Sequence, residues 1–306
     1  MMLGLTIKEV LDSFILCAKS RYVVLFVYTW PAFIAYVLAS SASPPMAVLE
    51  VVRIIIAVTM VAFSVYFYND LTDIQDDIKN KEMGNPTPAS RPIGNGMITE
   101  GRLKKYIVVS GVIGLIFAYS LNLRVLALQS LYLFLGLLYS TEPIRLKKRF
   151  LMKQIIIAAG CILSILTGAM TVGVFTPPIM YMIVIHFILI MGLNPIMDVR
   201  DIRGDKIVGV KSIPVIWGPE FTVRLYFVSL FAVGAATLIG YSQLGFNTAM
   251  PILVLLILAG WLYVSLPLLK RWDDPVFLDA IVSKKIFPFY LVLQLVPLIG
   301  ILNLPF

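Results

Sequence analysis

The sequence predicts an all-α membrane protein of nine transmembrane helices, and three observations carry that expectation. Of 306 residues, 59% are hydrophobic and 14% charged, against about 25% charged in a soluble domain. Apolar runs close to the roughly 20 residues that cross a bilayer as a helix fall at 22–42, 47–68, 106–122, 125–140, 152–172, 178–196, 223–241, 250–268 and 286–303. With that span count, every one of the 25 lysines and arginines except Arg53 and Arg124 lies on a single side, as expected of cytoplasmic loops. The composition excludes a secreted disulfide scaffold, a disordered tail protein and an ordinary cytosolic enzyme. Cys17 and Cys161 form no CxxC pair, which leaves no thiol-redox site or zinc knuckle. The formal charge of +8 is a topology signal, and no nucleic-acid partner is expected.

Residues 1–20 do not read as a signal peptide, because the apolar stretch is interrupted and no small-residue cleavage site follows. Ile7, Val10, Leu11, Phe14, Ile15 and Ala18 mark one helical face, with Thr6 and Glu9 spaced as a capping box. This predicts an amphipathic helix on the cytoplasmic interface; the alternative is an extension of the first span. The second span runs into Asn69-Asp70-Leu71-Thr72-Asp73-Ile74-Gln75-Asp76-Asp77. The fourth is short and expected to be tilted or sunk among its neighbours. The sixth contains His186, read as a packed core residue, and runs into Asp198-Val199-Arg200-Asp201-Ile202-Arg203-Gly204-Asp205. Asp70, Asp73 and Asp77 share the spacing D-x2-D-x3-D with Asp198, Asp201 and Asp205, four spans later. That predicts one membrane domain over 1–306 with an internal repeat of 47–172 and 178–303.

At about 100° per residue, Asn194, Asp198, Asp201 and Asp205 fall within an arc of roughly 60°, and Asn69, Asp73, Asp76 and Asp77 within roughly 100°. Like charges stacked on one face repel, so cations are expected to neutralise them. Carboxylate and amide oxygens select a hard ion, and Mg2+ characteristically shares its shell with substrate phosphates. The competing readings are a solvated acidic loop, or acids that merely pair with Arg200 and Arg203. Bases follow each cluster: Arg91 after the first, Lys206 and Lys211 after the second, with Tyr139, Arg145 and Lys147 between. Acid columns plus convergent bases describe a metal-bridged diphosphate site, although each base also serves topology. Phe63, Tyr66 and Phe67 either line a lipid channel or pack between helices.

At these residues the sequence resembles the UbiA superfamily of intramembrane prenyltransferases. The resemblance rests on Asn69-Asp70-x-x-Asp73-x-x-x-Asp77 and Asp201-x-x-x-Asp205, supported by Arg91-Pro92, the Tyr139 segment and Gly209-Val210-Lys211-Ser212. It implies a helical bundle around a central cavity capped by cytoplasmic motif-bearing loops. It also implies two Mg2+ ions, one served by Asn69, Asp73 and Asp77 with Asp70 in the same motif, the other by Asp198, Asp201 and Asp205 with Asn194. Arg91, Tyr139, Arg145, Lys147, Lys206 and Lys211 are the implied diphosphate contacts, and Phe63, Tyr66 and Phe67 the prenyl-cavity residues. The implied activity is transfer of an isoprenyl group from a geranyl or geranylgeranyl diphosphate, through an allylic carbocation, to a lipophilic acceptor in the cell membrane. Asp73 and Asp201 are the expected catalytic pair. A quinone-type aromatic is the preferred acceptor, ahead of a glycerol ether lipid precursor or a porphyrin. A cation-coupled secondary transporter is the alternative from another class.

Overall fold

The computed structural model describes residues 7–41, 46–82 and 91–302, which are helical with no strand among them. Seven helices are long and apolar enough to cross a membrane: Val48–Thr72, Glu100–Leu121, Leu123–Ser140, Met152–Val172, Pro177–Arg200, Pro219–Gly240 and Ala249–Arg271. An eighth span is added if Ile7–Ser20 and Leu25–Ser40, bent by 68°, are counted as one broken span. The expected ninth is the helix Phe287–Gly300, which at 14 residues falls short of the roughly 20 that cross a bilayer. A π turn over Val282–Ile286 precedes it, and Pro288 and Pro297 each remove a backbone donor. The chain is thus an all-α bundle with seven to eight apolar spans among the described residues.

The elements needed below are α1 (Ile7–Ser20), α2 (Trp30–Ser40), α3 (Val48–Thr72), α4 (Ile74–Glu82), α5 (Glu100–Leu121), α6 (Leu123–Ser140), α7 (Met152–Val172), α8 (Pro177–Leu193), α9 (Pro195–Arg200) and α10 (Ile202–Ile207). They are followed by α11 (Ile213–Trp217), α12 (Pro219–Gly240), α13 (Ala249–Ser265), α14 (Leu268–Arg271), α15 (Pro275–Ile281) and α16 (Phe287–Gly300). One buried core joins α1 to α7 with Ile179, Met182 and Ile190 of α8, and another joins α8 to α16, so α8 contributes to both. Asn122 closes the α5–α6 corner: its side chain accepts from the Val125 N–H (3.0 Å) and donates to the Met170 carbonyl (3.0 Å) at the end of α7. Among the described glycines the least room for a Cβ is at Gly168, where α7 meets α2 and a Cβ would lie 2.0 Å from the Ala32 carbonyl oxygen. Such small residues let helices approach through their backbones.

The N-terminal helix keeps Ile7, Val10, Leu11 and Ile15 exposed and buries Ser13 and Cys17. Ser13 shares a 2.6 Å hydrogen bond with the Tyr106 hydroxyl, which donates to the Val10 carbonyl (2.7 Å). Thr6, and with it the expected capping box, lies outside the described residues. Phe14 sets its ring edge-on against Phe63 and Phe67. Those two rings stack at 5.4 Å inside the α1–α3 core, away from the cavity, which corrects their expected place as cavity lining. Their spacing along α3 turns them toward α1, while Tyr66 faces the cavity. His186 is buried, as expected of a core residue.

Candidate active site

Both acidic segments fold as interrupted helices. Helix α3 ends at Asp73 (φ −101°, ψ 5°) before α4 resumes. Helix α9 ends at Asp201 in nearly the same conformation (φ −96°, ψ 5°) before α10 resumes. That sparsely populated bridge region recurs at active sites. Pro195, which has no N–H to donate, separates α8 from α9 just after Asn194. The continuous columns expected from 3.6-residue periodicity are therefore replaced by helix ends that fold inward.

The inward ends meet in one cavity of about 280 Å3. Its walls include Asn69, Asp73, Asp76 and Asp77 from the first segment and Asn194, Asp198, Asp201 and Asp205 from the second. Arg21, Arg91, Tyr139, Lys147 and Lys153 line it too, and Tyr28, Tyr66 and Tyr132 form an aromatic part of the wall. Tyr28 and Tyr132 stack at 5.3 Å, and the Tyr28 and Tyr66 hydroxyls share a 2.9 Å hydrogen bond.

Asp73, Asp76, Asp198 and Asp201, and Asp70 beside them, each have a defined neighbour. Lys147 and Arg145 (3.2 Å) both engage Asp73, and Arg145 also reaches Asp76 at 2.6 Å. Asn69 donates to Asp73 (2.6 Å) and to the Ser140 hydroxyl (3.0 Å). Lys153 and Gln154 hold Asp198 at 2.6 and 2.8 Å. Arg200 grips Asp201 through Nε and Nη2, both at 2.9 Å. Asp70 does not line the cavity: Arg21 binds it through Nε at 3.0 Å and Arg91 approaches at 3.5 Å. Its motif position is used to anchor two arginines, one of them also stacked over the Tyr66 ring at 5.1 Å. Arg145 stands behind the cavity wall, its backbone in the left-handed region (φ 33°), a strain of about 1 kcal/mol that the two aspartate contacts offset.

Besides Arg145, two more expected diphosphate contacts lie outside the cavity wall. Lys206 is exposed and lines a different cleft, because on α10 it leaves the helix about 100° round from Asp205. Lys211 is exposed as well, and it is its backbone N–H, bonded to the Lys148 carbonyl at 3.1 Å, that docks the segment. Gly209 at φ 74° makes the turn that lets Val210 join the cavity wall. Arg21 and Lys153 were missed as site residues, since each read as a topology charge. Lys153-Gln154, polar residues at the head of an otherwise apolar run, are the signal that a buried acid partner exists.

Six carboxylates line this cavity against four bases, and Arg145 and Arg200 pair with Asp73, Asp76 and Asp201 from behind the wall. Among the described residues no three acidic, histidine or cysteine side chains form a ready cage, since bases hold the acids apart. The donor set nevertheless fits a hard divalent cation: oxygen-only ligands from two facing segments, including the buried Asp205 Oδ2, which has no hydrogen-bond partner among the described residues. Burial pushes Asp77 and Asp205 from 3.8 up to about 6, holds Arg91 down at about 10 and lowers Lys147. With folded values raised, Asp77 and Asp205 favour the metal-free fold at acid pH, and that contribution is lost as pH rises from 3.8 through about 6. A divalent cation needs the ionised forms. Mg2+ is therefore expected to raise the thermal midpoint by several degrees at about pH 7.5 and hardly at all at about pH 5. Thermal melts in detergent check this; an equal rise at both values would contradict it.

Comparison with known proteins places these features in a family. The UbiA prenyltransferase family model matches residues 28–276. The chain is 27% identical over 162 residues to a digeranylgeranylglyceryl phosphate synthase of Pyrococcus furiosus, covering 53% of this chain and 57% of that protein. The chain thus spans little more than half the length of that relative. It is also 27% identical over 217 residues to the synthase of the same name from Sulfurisphaera tokodaii, covering 70% and 73% of the two chains. Among solved structures, a UbiA homologue from Archaeoglobus fulgidus bound to GPP and Mg2+ superposes with a TM-score of 0.68 at 17% identity, over 92% of this chain and 97% of that one. A structure of a digeranylgeranylglyceryl phosphate synthase gives 0.70 at 21% identity, over 97% and 100%. By the match along most of its length, this chain is an integral membrane protein that belongs to the UbiA prenyltransferase family.

Proposed function

We propose that this protein transfers an isoprenyl group from an isoprenyl diphosphate to a lipophilic acceptor, with Mg2+ as cofactor. The observation that carries the reading is the convergence of the two aspartate segments and four bases on one cavity. Asn69, Asp73 and Asp77 would hold one ion, and Asn194, Asp198, Asp201 and Asp205 the other. When bound, Mg2+ supplies the positive charge that stabilises the departing diphosphate. Arg91, Tyr139, Lys147 and Lys153 are placed to take the remaining phosphate oxygens.

The allylic C–O bond then breaks, its electron pair leaving with the diphosphate. The faces of Tyr28, Tyr66 and Tyr132 are suited to a cation, and the apolar helices around them exclude water that would quench it. The acceptor's nucleophilic atom forms the new bond and releases its proton. Acids at span ends beside bases, where a transporter would hold them near the bilayer midplane, argue with the family membership against the transporter alternative. The distribution of lysine and arginine supports a cytoplasmic N-terminus and motif end at the cell membrane. The matching breaks at Asp73 and Asp201 support 47–172 and 178–303 as duplicated halves of one domain.

The names of the relatives shift the acceptor from the quinone-type aromatic to a glycerol phosphate ether lipid, with geranylgeranyl diphosphate as donor. Incubating the purified protein with geranyl or geranylgeranyl diphosphate, against geranylgeranylglyceryl phosphate or 4-hydroxybenzoate, and reading products by mass spectrometry tests this. The expected product is the doubly alkylated glycerol phosphate. An alkylated hydroxybenzoate alone would return the aromatic acceptor, and ion flux into proteoliposomes without any product would overturn the enzyme reading. Lys147→Ala is expected to weaken direct binding of geranylgeranyl diphosphate by roughly tenfold; unchanged affinity would remove Lys147 from the site.

A further inference from the structure

The second acidic segment has two working faces. Asp201 and Asp205 line the active-site cavity, whereas Arg200, Arg203 and Lys206, interleaved with them, line a separate cleft of about 370 Å3 beside Trp272 and Asp273. Arg203 and Lys206 stand one turn apart on α10, exposed, and neither has a carboxylate partner among the described residues. Arg200 is the wall between the two spaces. Its buried guanidinium holds Asp201 on the cavity side and donates from Nη1 to Asp279 at 2.7 Å. Of its five N–H donors, three are given to these carboxylates.

We propose that this cleft binds a phosphate anion at the membrane surface, and that its occupancy draws Arg200 off Asp201. A planar guanidinium forks onto phosphate as readily as onto carboxylate, so a phosphate between Arg203 and Lys206 competes directly for Arg200. Basic pockets at helix ends bind lipid headgroups in this way, and the half-buried Trp272 supplies the amphipathic ring typical of a membrane interface. Asp273 on the rim accepts hydroxyl donors, which suits a glycerol-type headgroup. Released from Arg200, Asp201 gains a stronger field for a cation in the cavity. The cleft thus acts as an anion sensor for the active site. Only the second step rests on the proposed function, through Asp201 as a Mg2+ ligand.

The test uses the full-length protein in neutral detergent, without isoprenyl diphosphate. Binding of dioctanoyl phosphatidylglycerol, inorganic phosphate and zwitterionic dioctanoyl phosphatidylcholine is measured by calorimetry. The double variant Arg203→Glu with Lys206→Glu is compared, and Arg203→Gln with Lys206→Gln serves should the first not fold. The expected result is saturable binding of phosphatidylglycerol, weakened roughly tenfold or more in the variant, with little binding of phosphatidylcholine. Mg2+ is expected to bind roughly fivefold tighter in the presence of the anionic lipid. Inorganic phosphate binding as well as the lipid would support a site for free phosphate, and binding of the lipid alone a site for a headgroup. Equal anion binding by native and variant proteins would overturn the site, and anion binding with unchanged Mg2+ affinity would overturn its coupling to Asp201. Absence of prenyl transfer would leave both readouts intact, and so bears on the proposed function alone.

Discussion

Asp73→Ala and Asp201→Ala are each expected to lower Mg2+-dependent prenyl transfer by roughly a thousandfold, the size of effect seen when a preorganised charge-stabilising group is removed. Each carboxylate sits at a helix break facing the cavity, so neither has a neighbour that can take its place without moving backbone. The fold should survive both changes. Losing Asp73 leaves Lys147 within 4.0 Å of Asp76, and losing Asp201 leaves Arg200 paired with Asp279 at 2.7 Å, so no buried base is stranded. Turnover of labelled geranylgeranyl diphosphate, read beside the thermal midpoint, separates the two effects. Native turnover in both variants would contradict the assignment.

The largest effect on stability is expected at Gly168. Gly160, Ser164 and Gly168 recur one turn apart along α7 and are buried. A Cβ on Gly168 would lie 2.0 Å from the Ala32 carbonyl oxygen and 2.8 Å from the Tyr36 nitrogen. Both obstacles are backbone, so no side-chain rotation relieves them. Gly168→Val must therefore push α2 off α7, at a cost of about 3 kcal/mol or more. The same displacement should weaken catalysis, because the turn before α2 carries Tyr28 and α7 carries Lys153, both in the cavity wall. Thermal unfolding in detergent is the check, and an unchanged midpoint would show that this contact does not hold the bundle together.

The contrast between those two sites shows what a sequence can reveal here. Hydropathy exposes spans because lipid demands long apolar runs, and the repeated aspartate spacing exposes the family because few other constraints produce it. Periodicity could not show that Asp73 and Asp201 end their helices, since an angle of 100° per residue assumes an unbroken helix. The breaks, and not a common helical face, bring the segments together. Nor could it sort the bases. Arg21, Lys153, Lys206 and Lys211 are alike as topology charges, yet the first two line the cavity and the others do not. That sorting depends on which side of a short helix each leaves, a tertiary fact. Phe63, Tyr66 and Phe67 divide similarly: the first and last meet Phe14 across α1, and Tyr66 alone meets the cavity. The ninth apolar run matched a span in length, but its α-helix begins only after the π turn Val282–Ile286 and covers Phe287–Gly300.

Under the proposed function both aspartate segments act on a single diphosphate. The most direct measurement is a structure of the protein with Mn2+ in place of Mg2+ and a non-hydrolysable geranylgeranyl thiodiphosphate, with the metal located by anomalous scattering. One diphosphate is expected in the cavity, with metal beside Asp73 and Asp77 and again beside Asp201 and Asp205. Metal at only one segment, or a diphosphate bound outside this cavity, would contradict it.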